Sequence, residues 1–237
     1  MVLRRLLGPN GLTHHLPSLD HHHPPHNMVL KIYGVSWSTC TRRVALIAKE
    51  KNVPYELVEL DLAKGDNKTP AYLAKQPFAE TPYIDDDGFV LFESRAIGRY
   101  IATKWAAQGT PLIPTDVKAL ALFEQAASIE LTSFDGYAVR YAVEKIFNPQ
   151  KGIATNEDRA AEYLKTIENK LDVYDQILGK QKYLAGDELS LADLFHLPGG
   201  YILVKLGKDV FDPRPNVSRW WNEISSRHSW QAVKESA

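Results

Sequence analysis

Residues 29–60, VLKIYGVSWSTCTRRVALIAKEKNVPYELVEL, decide the fold. VLKIYG (29–34) is a short β-type run and reads as a strand. TCTRRVALIAKEKN (39–52) puts Val44, Ala45, Ile47 and Ala48 on one side of a helix, and YELVEL (55–60) reads as a second strand. Strand, helix and strand at this spacing form a βαβ unit. Working outward, KGDNKTP (64–70) is a loop and AYLAKQ (71–76) a short helical piece. YIDD and FVLFE then flank Asp86, Asp87 and Gly88, whose Asp-Gly step is a hairpin turn signal. SRAIGRYIATKW (94–105) closes the unit as a helix, with Ser94 expected at the N-cap and Ala96, Ile97, Tyr100 and Ile101 on its buried face.

The texture changes after Trp105. QGTPLIPTD (108–116) brings Gly109, Pro111 and Pro114 into close succession, the mark of a linker. Beyond it the chain reads as helix over about 116–146, 155–179, 190–206 and 215–227, with no convincing strand. In GDELSLADL, Ser190 is an N-cap and Asp193 stands three residues on, a capping-box arrangement followed by apolar Leu194. The expected organisation is an extension over 1–27, an α/β domain over 28–107, a linker over 108–117 and an all-α domain over 118–237.

Composition narrows the functional classes. The chain has 237 residues, 44% hydrophobic and 24% charged, as in ordinary globular proteins. No apolar run approaches the roughly 20 residues that span a bilayer, so no membrane partner is expected. With 28 basic and 29 acidic residues the net charge is −1, which gathers neither nucleic acid nor an anionic surface. One cysteine, Cys40, forbids an internal disulfide and fits a reducing, cytoplasmic setting. Six of the eight histidines (His14, His15, His21, His22, His23 and His26) lie in the first 27 residues beside Pro24 and Pro25, and Met28 opens what looks like a fresh start. These histidines have no acidic or cysteine partner at ligand spacing, so the segment reads as a disordered tail with no metal. MVLRRLLG carries two arginines and no acid but lacks the amphipathic arginine spacing of a mitochondrial signal.

Three stretches carry a more specific signal: YGVSWSTCTRRVAL (33–46), PFAETPYIDDDGFVLFESRAIGRYIA (77–102) and YLAGDELSLADL (183–194). Together they resemble the glutathione transferase family, over nearly all of residues 28–235, and are most similar to its phi class of plants and fungi. The resemblance implies a thioredoxin-like α/β N-terminal domain that holds glutathione and an all-α C-terminal domain that holds the second substrate. It also implies that the glutathione thiolate is conjugated to small hydrophobic electrophiles, with peroxide reduction as a side activity. Glutathione is then a co-substrate, and no cofactor is needed. A homodimer is the family's usual assembly.

Site roles follow from the same resemblance. Ser38 aligns with the family's catalytic serine, whose hydroxyl donates to the glutathione sulfur. The position suits an anion, because a helix N-terminus offers unpaired N–H groups and about half a positive charge. Read locally, Ser38 is equally an N-cap, and Ser36, Thr39 and Thr41 are neighbouring hydroxyls. Cys40, two residues on and without a CxxC partner, packs as a small hydrophobe. Thr81 and Pro82 match a turn whose cis proline presents backbone to the cysteinyl part of glutathione. Glu93 and Ser94 match the pair that holds the γ-glutamyl end, Lys68 falls where the family places a lysine for the glycyl carboxylate, and Asn67, also a glutathione-binding candidate, stands where phi members often have histidine. Ala79, Glu80 and Thr81 stand where the family usually has glycine, glutamine and valine. Ionised Glu80 can only accept hydrogen bonds, so either Lys68 and its neighbours compensate or glutathione binds more weakly. Trp37, Phe134 and Tyr137 are candidates for the second-substrate pocket, and each is equally a candidate for the core. A non-catalytic binding protein of the same fold is the alternative function.

Overall fold

A computed structural model describes residues 29–237, and the expected 1–27 extension with its six histidines lies outside the described residues. Strand β1 (Leu30–Gly34), helix α1 (Thr39–Glu50) and strand β2 (Tyr55–Glu59) form the βαβ unit. A 3-10 turn (Asp66–Lys68) and a one-turn helix α2 (Pro70–Leu73) lead to β3 (Tyr83–Asp86), β4 (Phe89–Phe92) and α3 (Ser94–Lys104). The sheet runs β2-β1-β3-β4, with β1 parallel to β2 and antiparallel to β3. Residues 105–116 are irregular. The rest is helical: α4 (Val117–Ile129), α5 (Gly136–Ala142), the single turn α6 (Asn148–Gln150), α7 (Glu157–Leu178), α8 (Leu191–Leu194), α9 (His196–Lys205), α10 (Pro215–Ser225) and the single turn α11 (His228–Gln231).

Four details differ from the sequence reading. The expected one-sided burial of α1 is too narrow, since Thr41, every residue from Arg43 to Ala48, and Glu50 are all buried. The helix is covered on most of its surface because it packs on β1 and α3 and also on α8, α9 and α11, and only Lys49 is exposed. Ser94 is not the cap of α3: Glu93 occupies that position with φ 71°, and Ser94 is the first helical residue. Ile97 and Ile101 are buried as expected, but Ala96 is exposed and Gly98 takes its place on the packed face. A Cβ on Gly98 would stand 2.6 Å from Ile47 Cδ1 and 3.1 Å from Phe195 Cε1, so glycine lets α1 and α3 close on the helical domain. Finally, the helix expected over 190–206 is two, broken at Phe195.

The long rod after the linker runs from Val117 to Gln150 and widens twice into π turns, at Glu130–Asp135 and Val143–Phe147. In an α-helix residues five apart point about 140° away from each other, at about 100° per residue. The i→i+5 bonding of a π turn stacks them instead. Glu130 and Asp135 therefore share a face, and both accept from the Arg95 guanidinium: Glu130 at 2.7 and 2.8 Å, Asp135 at 2.7 Å. Asp135 also accepts from Arg43 Nη2 at 3.1 Å. Two guanidiniums thus meet two carboxylates in a buried, charge-balanced group that spans α1, α3 and the rod.

Two further polar groups hold the helical domain. Asp193, fully buried, accepts from Leu184 N (2.9 Å), Ser190 N (3.0 Å), Ser190 Oγ (2.9 Å) and Trp220 Nε1 (3.0 Å), so the capping arrangement also anchors α10. At the far end of α1, Glu50 accepts from Arg227 at 2.6 and 2.9 Å, from Thr110 at 2.7 Å, and from Ser229. Gly109 belongs to this latch: its φ is +62°, and a Cβ there would lie 2.2 Å from the Glu50 carbonyl oxygen. Burial alone would raise the Glu50 carboxyl, but the hydrogen bonds from Arg227, Ser229 and Thr110 outweigh it and hold its pKa below the ordinary glutamate value.

Asp193→Ala strands three N–H donors in the core at about 1–3 kcal/mol each. We expect a loss of at least about 3 kcal/mol, read as a fall of roughly 6–12 °C in melting temperature, with Asp193→Asn losing less. Because Glu50 has a depressed folded-state pKa, its contribution is present above the unfolded glutamate value and vanishes as pH falls through the folded one. Melting curves of the native chain and Glu50→Gln should accordingly differ at neutral pH and converge below about pH 4.

Candidate active site

The first turn of α1 builds the centre of the site. Ser38 stands at its N-cap with φ −68° and ψ 133°, and its Oγ lies 3.5 Å from Thr41 N, a weak cap that leaves the hydroxyl free to reorient. Two of the neighbouring hydroxyls are held or buried away from it, the Thr41 Oγ1 with no hydrogen-bond partner among the described residues. Ser36 is held by Glu59 through its N–H (3.0 Å) and its Oγ (3.1 Å), and Thr41 is fully buried. Ser38 and Thr39 instead line a small cavity of about 90 Å³ together with Trp37, Val139, Ala142, Phe147 and Ile202. One wall of this cavity is the first turn of α1, and the other is the second half of the rod with α9.

Backbone and polar groups gather beside that turn. The Thr81–Pro82 peptide is cis. A Cβ on Gly34, at the end of β1, would meet the Pro82 ring at 3.2 Å, so this turn lies where β1 hands over to α1. Asn67 donates to the Ala79 carbonyl at 2.6 Å, which fastens the 3-10 turn to the loop before Pro82, and its buried Oδ1 has no donor among the described residues. Lys68 is exposed. Glu80 turns its carboxylate to solvent while its carbonyl accepts from Tyr72 at 2.5 Å. Glu93 is exposed at the start of α3, and buried Ser94 accepts from Arg43 Nη1 at 3.0 Å, which leaves the Ser94 O–H free to donate. Cys40 is half-buried with its sulfur 3.6 Å from the same guanidinium nitrogen.

The second-substrate candidates separate. Trp37 is 54% exposed and lines both the Ser38 cavity and a larger adjoining cleft of about 420 Å³. Phe134 is corrected to core: it is fully buried, with its ring 4.7 Å from His196 and 6.4 Å from Phe211. Tyr137 is also removed from the cleft, because its ring packs toward Tyr163 at 6.3 Å and lines neither cavity. Phe147 and Ile202 take their place, joined by Arg42, Tyr201, Lys205 and Glu235. Sequence reasoning missed all six. Phe147 and Ile202 are apolar members of helical runs with nothing to separate them from core, and Glu235 is 193 residues from Arg42, the residue its carbonyl binds.

Two helix starts next to an apolar cleft can hold an anionic thiol and an apolar partner side by side. Among the described residues no group of three or more His, Cys, Asp or Glu side chains could hold a metal ion. No helix among them is long and apolar enough to cross a membrane.

Comparison with known proteins agrees with this geometry. The model of the glutathione S-transferase N-terminal domain matches residues 28–103, and that of the C-terminal domain matches 136–228. Glutathione S-transferase PM239X14 of Arabidopsis thaliana is 47% identical over 82% of this chain and 90% of its own length. Glutathione S-transferase hmp2 of Hypomyces subiculosus is 42% identical over 86% of this chain and 96% of its own. The crystal structure of glutathione transferase F7 from Populus trichocarpa superposes with a TM-score of 0.84 at 39% identity, covering 87% of this chain and 98% of that one. With both of its domains matched and its thioredoxin-like and helical halves superposing on a solved member, the chain belongs to the glutathione S-transferase family and is most similar to its phi class.

Proposed function

We propose that this chain conjugates the glutathione thiolate to small hydrophobic electrophiles and that Ser38 is its catalytic hydroxyl. The observation that carries the reading is the loosely capped Ser38 hydroxyl, opening on a cavity that joins the first turn of α1 to an apolar cleft. A thiolate in that cavity accepts the Ser38 O–H and faces the N-terminal end of α1, and both interactions favour the ionised sulfur. A free thiol titrates near 8.5, so a downward shift of one to two units makes it mostly thiolate at neutral pH. Thr81, Glu93 and Ser94, with Asn67 and Lys68, are our candidates to hold the peptide. The exposure of Glu80 supports a modest penalty, because its carboxylate is well solvated. The electrophile lies against Trp37, Phe147 and Ile202, and holding the two reactants together supplies much of the acceleration. The same thiolate can reduce a hydroperoxide, with a second glutathione closing the disulfide as water and alcohol leave. A reducing cytosolic setting fits the lone Cys40.

We also propose that the chain works as a homodimer. The edge strand β4 and the loop before Pro82 expose aromatic surface: Phe78 is 69% exposed and Phe89 48%, with the Phe78 and Phe92 rings 5.9 Å apart. Aromatic surface at a sheet edge is costly unless a partner covers it.

Ser38→Ala removes one charge-assisted hydrogen bond, worth about 1.5–3 kcal/mol, so conjugation of a generic aromatic electrophile should fall roughly 10- to 100-fold. The pH–rate profile and the ultraviolet absorbance of bound thiolate should both shift to higher pH. An unchanged profile removes Ser38 from the chemistry. For the assembly, light scattering at micromolar concentration should give twice the chain mass for the native protein and the single mass for Phe78→Asp. A monomeric native protein rejects the dimer.

A further inference from the structure

The cleft beside Ser38 carries a charge that the glutathione site does not use. Trp37, Phe147 and Ile202 line both the Ser38 cavity and the larger cleft, so a molecule filling the cleft abuts the position of the sulfur. Three ionised side chains line it: Arg42, Lys205 and Glu235. Two of them cancel. Lys205 Nζ lies 3.1 Å from one Glu235 oxygen, and Tyr201 donates to the other. Arg42 is different, because its two partners are neutral carbonyls: Nε donates to Ser36 O at 3.1 Å and Nη2 to the backbone O of Glu235 at 2.6 Å. Its Nη1 has no hydrogen-bond partner, and Arg42 makes no ion pair among the described residues. Glu59, which touches the same Ser36, accepts from the Ser36 N–H and hydroxyl instead.

The lining therefore holds one net positive charge on a guanidinium whose plane is already fixed. Burial lowers the Arg42 pKa, and Glu235 only partly offsets that cost. Its neighbour in sequence, Arg43, sits in the core and is paired with Asp135, so the two arginines do different work. A fixed guanidinium with a free N–H edge beside apolar side chains is a receptor for a carboxylate on an apolar molecule.

We propose that Arg42 is a specificity-determining residue that binds a carboxylate carried by the electrophile, so that this chain favours electrophiles with an anionic group beside their apolar body. The proposal rests on the conjugating reading above and names its substrate class. The test uses the full chain with ethacrynic acid, an aryl enone bearing a carboxylate remote from the reacting carbon, and with its methyl ester. In either case the sulfur bonds to the β-carbon, the carbon–carbon π bond breaks, and the α-carbon takes a proton from solvent in place of the one the thiol released. Calorimetry gives Kd for the two preformed glutathione conjugates, and initial rates give kcat/KM for the two electrophiles, in the native chain, Arg42→Gln and Arg42→Lys.

The expected native preference for acid over ester is about tenfold in both quantities, lost in Arg42→Gln and partly kept in Arg42→Lys. A purely structural role, such as tying down the Glu235 segment, lowers acid and ester together and leaves their ratio unchanged, which overturns the proposal. So does an Arg42→Gln variant that weakens glutathione itself as much as it weakens the acid conjugate, because Arg42 would then belong to the peptide site. If the native chain discriminates the conjugates but turns over neither electrophile, the conjugating function fails while the Arg42 assignment stands. If it turns over both with equal kcat/KM and binds both conjugates equally, the reverse holds.

Discussion

The buried guanidinium of Arg43 is the constraint on which the rest of the molecule depends. A charge with no exposed surface must be met completely, and Arg43 is met by Asp135 from the rod, Ser94 from α3 and the Phe195 carbonyl from the break between α8 and α9. Removing any one partner leaves a buried charge short of compensation, at a cost that can reach several kcal/mol. The same bonds set the distance between the start of α3, where we propose that the peptide's γ-glutamyl end binds, and the start of α1, where we propose that its sulfur lies. Fold and site are specified by one group.

The helix that carries Arg43 explains why both domains are needed. A thioredoxin-like sheet with α1 on one face would leave the other side of α1 wet, yet that side here is buried, covered by α8, α9 and α11. Covering it creates the groove between the first turn of α1 and the second half of the rod. The cleft is thus a by-product of burying α1, and its chemistry is set by the few side chains that the groove leaves open.

Much of this was legible in the sequence. The alternation in VLKIYG and YELVEL, the Asp-Gly turn and the capping arrangement at Ser190 and Asp193 are local signals, and local signals fix local structure. The placement of Ser38 at a helix start was legible for the same reason. What could not be read was contact between distant segments. Phe134 lies at a π turn, where a 3.6-residue period no longer says which face a side chain occupies, and nothing local announces that Glu130 and Asp135 will share Arg95. Ser94 was misread as a cap because its neighbour Glu93 adopts a positive φ that glutamate rarely takes. Arg42 and Arg43 are adjacent and chemically identical, and only the fold makes one a structural tie and the other a free edge.

The latch at Glu50 also bears on motion. Helix α1 is 12 residues long, about 18 Å at 1.5 Å per residue, and it is tied at its far end by Arg227, Ser229 and Thr110 and along its length by the sheet and α3. A helix fastened at its end and along its length resists tilting and sliding. The wall that carries Ser38 is therefore the firmly tied one, and any give in the cleft falls to its opposite wall, where Phe147 ends a widened turn. On the proposed conjugating function, a bulky product would leave by displacing the helical domain's surface rather than the turn that carries Ser38.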